Sequence, residues 1–322
     1  KKDVAHMTEC QYFVLSKIKY IMHNIKTNFD IFHKICKKMF NSDLDNHGNF
    51  KFYSNKPKMS DIEIISLSVT MEALGIDSEN YFFSKLTNEY SRQFPNLIER
   101  SRFNRRRKQL AEQLNYCWSH LSKIINEDED TYVIDSMPIP VIKLVRESSR
   151  RVFMDDADNA PKKGYSAIIR QYIIGYKIHL IVSKQGVPAD LMITPANVHD
   201  INYLKESDLE IMNCALIGDR AYLSKTLQLD LFESNKIKLK TASRSNQKSY
   251  KKFSKRDKAT RMIIETVNAQ LCDQFMIKRN YAKTFAGFYA RIIAKVGAMV
   301  FSQYYSFDNN QPLGKVKYAL AC

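Results

Sequence analysis

Thr131-Tyr132-Val133-Ile134-Asp135 and Cys214-Ala215-Leu216-Ile217-Gly218-Asp219 decide the fold. Each is a short run of apolar residues closed by an aspartate. Such runs read as buried strands. A carboxylate at the end of a buried strand stands at the sheet edge, where ligands of α/β sheets bind. Between the two runs, residues 172–183 and 187–194 form a candidate hairpin that turns at Gln185-Gly186. After the second aspartate, residues 224–234 read as a helix and 237–240 as a further strand. Residues 261–278 place Ile264, Val267, Leu271 and Phe275 on one stripe of a helix. Residues 288–304 read as a further, buried helix.

Upstream the period is helical. Ser60-Asp61-Ile62-Glu63 is a capping box, followed by Ile62, Ile65, Val69 and Ala73 at helical spacing and stopped by Gly75. Ser78 caps a second helix through Phe82, Leu86 and Tyr90, and a third runs over 101–125. The pair around Gly75 fits either a helix-turn-helix or a structural hairpin. The acidic stretch 127–130 marks the change of character. The expectation is a helical N-terminal domain, 1–127, for DNA binding or assembly. It precedes an α/β domain, 128–322, with a mixed sheet flanked by helices and C-terminal helices after it.

The 322 residues hold 50 Lys plus Arg against 34 Asp plus Glu, a net charge of +16. Such a chain attracts polyanions, because each neutralised phosphate releases counterions. Hydrophobic residues make up 44%, which excludes a disordered chain. The longest apolar run, 292–301, is short and carries Lys295, so no membrane span is expected, and the first residues lack a signal-peptide core. The expected location is the cytoplasm, on DNA. The six cysteines show no C-x-x-C spacing, which argues for reduced thiols rather than a zinc or redox site.

Asp135, Asp219 and Glu265, the last beside the apolar stripe of its helix, make a set of acids on three separate elements. Converging carboxylates repel one another, and a divalent cation relieves this. Hard oxygen donors suit Mg²⁺ or Mn²⁺, and two such ions can clamp the attacking and leaving oxygens of a phosphodiester. The order strand-Asp, two strands, strand-Asp, helix-Glu is the layout of an RNase H-like nuclease core.

On these residues the chain resembles the DDE transposases of bacterial insertion sequences. The matching pieces are Val133-Ile134-Asp135-Ser136, Gly175-Tyr176-Lys177-Ile178-His179, Thr194-Pro195-Ala196-Asn197-Val198-His199-Asp200, Ile217-Gly218-Asp219-Arg220-Ala221-Tyr222 and Ile264-Glu265-Thr266. Together with Phe94-Pro95-Asn96-Leu97 and Arg102-Phe103-Asn104-Arg105-Arg106-Arg107, they look most like the group numbered nine-eighty-two. The resemblance implies that Asp135, Asp219 and Glu265 are catalytic metal ligands. It also implies cleavage of double-stranded DNA at transposon ends and 3′-hydroxyl transfer into target DNA, by a homodimer or larger assembly on DNA. Arg261 stands four residues before Glu265, as many relatives have it. Their Tyr and Lys positions are here Lys258 and Cys272, with Lys278 a substitute further on.

Six of the nine residues 100–108 are basic, and Arg102, Arg105, Arg106 and Arg107 are candidates for backbone contact. Residues 240–258 hold eight basic side chains, with Lys251 and Lys252 central. Lys177, His199, Arg220 and Arg261 are candidates nearer the acids. A nuclease without strand transfer and an inactive DNA-binding relative are the alternative functions. A tyrosine recombinase is disfavoured, since none of the seven His is followed three residues later by Arg.

Overall fold

A computed structural model describes residues 24–148, 151–167, 169–242 and 253–316. Lys251 and Lys252 therefore lie outside the described residues. The architecture is a mixed sheet flanked by helices, with helices leading into it.

The strands are β1 (Thr131–Ile142), β2 (Lys162–Ser166), β3 (Gln171–Ser183), β4 (Pro188–Pro195), β5 (Ala215–Gly218) and β6 (Lys238–Thr241). They lie in the order β2-β3-β1-β5-β6, with β4 also on β3. β3 is long enough to hold β2 along its first residues and β4 along the rest of the same edge. β1, β5 and β6 run parallel, and the other pairings are antiparallel. The hairpin forms as its sequence predicts, with Gly186 at φ +81° in the turn. Along β1, Val133 joins one apolar core while Tyr132 and Ile134 join the other, the two-residue alternation of a strand covered on both faces.

The helices are α1 (Ile25–Phe40), α2 (Asp61–Ala73), α3 (Glu79–Glu89), α4 (Arg100–Gln109), α5 (Ala111–Ile125), α6 (Ile201–Glu206), α7 (Lys225–Asn235), α8 (Lys255–Asp273) and α9 (Phe285–Asp308). The capping box at Ser60 is complete, and Ser78 caps α3. The single helix expected over 101–125 is broken at Leu110, whose N–H is shared between the carbonyls of Arg106 and Lys108. α8 starts at Lys255 under a Ser254 cap and stops at Asp273, so Phe275 and Lys278 fall beyond it. α9 corrects the expectation that no segment could span a membrane: it is long and apolar enough by length and composition. It is a core helix, however, with 78% of its most apolar window buried, and it packs on α2 and α5.

β1 also departs from expectation, for it does not end at Asp135. Its further residues pair with β3 as far as Ile142. β5 pairs only with Thr131–Val133, so beyond that point β1 has one free edge. Pro138 and Pro140, which lack an N–H, are tolerated on such an edge. β2 is the strand the sequence hides. Its Lys-Lys-Gly-Tyr-Ser has no apolar alternation, and Gly164 is needed because a Cβ there would lie 2.1 Å from the Ala196 carbonyl oxygen.

Candidate active site

The register of β1 on β5 brings the first two acids together. Val133 faces Ile217, an offset of 84 residues (217 − 133), and the same offset separates Asp135 from Asp219. Parallel pairing at that offset sets the two aspartates level at the carboxyl end of β5. Gly218 lets the strands close there. A Cβ at that position would meet the Ile134 side chain at 2.9 Å and the Tyr222 ring at 3.1 Å.

Asp135, Asp219 and Glu265 line one cavity of about 530 Å³, together with Arg261, Asn268, Lys177 and Asp200. Arg261, Glu265 and Asn268 are spaced i, i+4, i+7 along α8 and so share a helix face. Asn268 Nδ2 donates to Asp135 Oδ2 at 3.3 Å. Arg261 Nη2 donates to Glu265 Oε1 at 3.2 Å. That pair is well exposed, so it holds Glu265 only weakly. Lys177 Nζ donates to Asp200 Oδ1 and to the Val198 carbonyl, each at 2.8 Å. Asp219 accepts from the Ala221 amide at 2.7 Å.

Burial pushes the Asp135 carboxyl up to about 6, and the negative charges of Asp219 and Asp200 add to it. Asp219 is raised for the same reasons, burial first and then Asp200. The buried Tyr222 hydroxyl is held well above its usual range by burial and by Asp200, Asp135 and Asp219. Beneath the site His179 is fully buried, with Nε2 2.8 Å from Thr194 Oγ1 and its ring stacked on Tyr203. Burial lowers its imidazole to about 4.

These shifts have opposite signs on stability. Ionised Asp135 costs stability above about pH 6, and the cost fades as the folded protein takes up the proton towards pH 4. His179 is neutral in the fold, so its stabilisation is present above the free imidazole range and is lost as pH falls from there towards 4. Asp135→Asn should therefore melt higher than wild type at pH 8 in the presence of a chelator, by on the order of 2 kcal/mol. The gain should disappear as the pH is lowered through 6 towards 4. Thermal melting across that range checks both statements.

The donor set, carboxylate oxygens from Asp135, Asp219, Glu265 and Asp200, suits a hard divalent cation. Among the described residues, however, no three His, Cys, Asp or Glu side chains are grouped closely enough to hold one. Glu265 is paired with Arg261 and Asp200 with Lys177.

Of the expected basic contacts, Lys177 and Arg261 line the acid cavity. His199 and Arg220 are exposed but do not line it, and Arg102 and Arg105 are exposed on α4. Arg106 and Arg107 correct the expectation of backbone contact. Arg106 pairs with the buried Asp61. Arg107 is itself buried between Glu72 and Glu79. Both serve the interior. Lys278 lines a smaller cavity that adjoins the acids.

Asn268 and Tyr222 are not singled out by sequence reasoning, whereas Asp200 reads either as a residue that assists the acids or as a cap of the next helix. Asp200 makes no side-chain capping bond and lines the acid cavity. Its nearness to the acids comes from the β3–β4 pairing, which sets Lys177 against Thr194. The i+3 spacing from Glu265 was the available signal for Asn268.

An α/β sheet that gathers carboxylates at the carboxyl end of neighbouring parallel strands defines the class: a domain built to work on a ligand at that edge. Residues 126–283 match the family model described as "Transposase DDE domain". The match takes in β1 to β6 and α8 with all three acids, and it supports a DDE-type transposase. No curated protein and no solved structure matches the chain.

Proposed function

We propose that this chain cuts duplex DNA at transposon ends and joins the freed 3′-hydroxyl to target DNA, as a member of the insertion-sequence group numbered nine-eighty-two. The observation that carries the reading is the level placement of Asp135 and Asp219 in one cavity that Glu265 also lines, inside the transposase-domain stretch. Asp135, Asp219 and Glu265 would hold two Mg²⁺ or Mn²⁺ ions, which supply an activated attacking oxygen and offset charge on the leaving one.

The chain's own residues do the rest. Asn268 fixes the Asp135 carboxylate through its hydrogen bond. Glu265 swings off Arg261, a movement their exposed pair resists little. Arg261, once released, is free to meet a phosphate oxygen, and a guanidinium suits that role. Asp200 orients Lys177 towards the same cavity. The +16 charge holds the duplex, and two ends call for a homodimer or larger assembly on DNA.

The test uses a labelled duplex carrying the element's flanking terminal sequences, with Mg²⁺ or Mn²⁺. The expected result is a nick at the element end followed by a joined product in a target plasmid. Nicking that never proceeds to joining, with both ends supplied, would replace this reading with that of a nuclease.

A further inference from the structure

The β2–β3 hairpin overhangs the acid cavity and presents features that the chemistry of the acids does not use. Tyr165 and Tyr172 are directly opposite each other across the two strands, with rings 5.4 Å apart in a T-shaped pair. Both are more than half exposed, at 55% and 54%. Tyr165 also lines the acid cavity. Lys163 reaches over the Tyr172 ring at 5.8 Å. Lys162, Lys163 and Arg170 are exposed, and residues 162–175 include no acid.

Below this hairpin lies a cavity of about 320 Å³, walled by Met137, Pro138, Pro140, Ile169 and Cys272, with Lys278 at its edge. It shares Asp135, Ser136, Pro138 and Asn268 with the acid cavity. An apolar slot, exposed tyrosines and cations thus sit beside the carboxylates; Lys163 is paired with Glu147 at 3.1 Å, an exposed contact that a phosphate can replace at little cost. Duplex DNA offers such a surface phosphates and groove edges but no base faces, because its bases are stacked. Unpaired DNA offers faces for the rings and slot and phosphates for the cations.

We propose that the hairpin and the apolar cavity bind unpaired bases of the DNA strand next to the phosphate in the acid cavity. One base enters the slot against Met137 and Pro138, and its neighbour stacks on the Tyr165–Tyr172 pair. Lys163 and Arg170 take the intervening phosphates. This rests on the transposase reading and deepens it: the site engages DNA that is locally unstacked at the cut.

The test measures fluorescence anisotropy with a labelled short oligo(dT) and, separately, a duplex of equal length at one salt concentration. The Tyr165→Ala/Tyr172→Ala double variant should lose about tenfold affinity for oligo(dT), the scale of one stacked base, and less than about twofold for the duplex. Tyr165→Phe/Tyr172→Phe, which keeps both ring faces, should bind oligo(dT) as wild type does. Both variants should melt close to wild type, since both side chains are exposed. Equal losses on the two probes, or no loss on oligo(dT), would overturn the proposal. If wild type nicks the duplex while the alanine variant binds oligo(dT) normally, the base site alone fails. If wild type binds neither probe, the transposase reading fails with it.

Discussion

Asp135→Ala and Asp219→Ala should each reduce cation-dependent DNA nicking by roughly three orders of magnitude or more, and each should be as inactive as the pair combined. Catalytic groups that act as a unit show this loss of additivity. The two carboxylates stand level on β1 and β5 and open onto one cavity, so neither has a substitute at its own height in the sheet. Asp200 lines the cavity too, but it is tied to Lys177. Glu265→Ala should be severe for the same reason. Because burial disfavours ionised Asp135, its removal should not destabilise the fold, which separates lost chemistry from lost structure. Single-turnover nicking beside a thermal melt makes the comparison. A variant of Asp135 or Asp219 that keeps more than about a tenth of the wild-type rate would contradict the assignment.

Glu72→Ala should have the largest effect on stability. Glu72 is 1% exposed, and three cations converge on it. Lys295 Nζ is 2.6 Å away, Arg107 Nη2 2.5 Å and Arg291 Nε 3.5 Å. Burial alone would raise its carboxyl, but Lys295, Arg107 and Arg291 outweigh that and hold it down to about 2. The group joins α2, α4 and α9, elements from opposite ends of the chain. Removing the one acid leaves buried cations opposed only by Glu79 at the rim, and breaking a buried pair this way costs about 3–5 kcal/mol. That is a large share of the stability of an ordinary domain. The expected outcome is aggregation on expression, or a melting temperature lower by roughly 10 °C. Lys295→Met should cost less, because Glu72 keeps two arginines. A Glu72→Ala melt within a degree or two of wild type would contradict this account.

The sheet was legible where local pattern and tertiary environment agree. The two Asp-terminated runs, the hairpin at Gly186 and the stripe on α8 each carry their own period or turn residue. β2 was not legible, because its pairing depends on Gly164 fitting beneath the Ala196 carbonyl, a contact with no local sequence signal. The continuation of β1 past Asp135 was not legible, because it carries Pro138 and Pro140, which a strand tolerates only where β5 stops short beside them. The arginines of α4 show the same limit. Arg102 and Arg105 face outward while Arg106 and Arg107 turn to Asp61, Glu72 and Glu79. A run of like charges does not say which members have acids waiting in the core. The three acids were candidates from their order along the chain together with the family resemblance, and all three line one cavity. Asp200 was ambiguous between a site role and a cap until strand pairing brought it to the cavity, and Asn268 needed the facing of α8.

The proposed function rests on divalent cations that Asp135, Asp219 and Glu265 would hold for DNA cleavage. Single-turnover nicking of a duplex with a phosphorothioate at the cleaved position, compared in Mg²⁺ and in Mn²⁺, tests it most directly. Sulfur is a poor ligand for Mg²⁺ and a better one for Mn²⁺. The account predicts that one sulfur stereoisomer nearly stops nicking in Mg²⁺ and that Mn²⁺ restores it. A sulfur effect of the same size in both metals would contradict it.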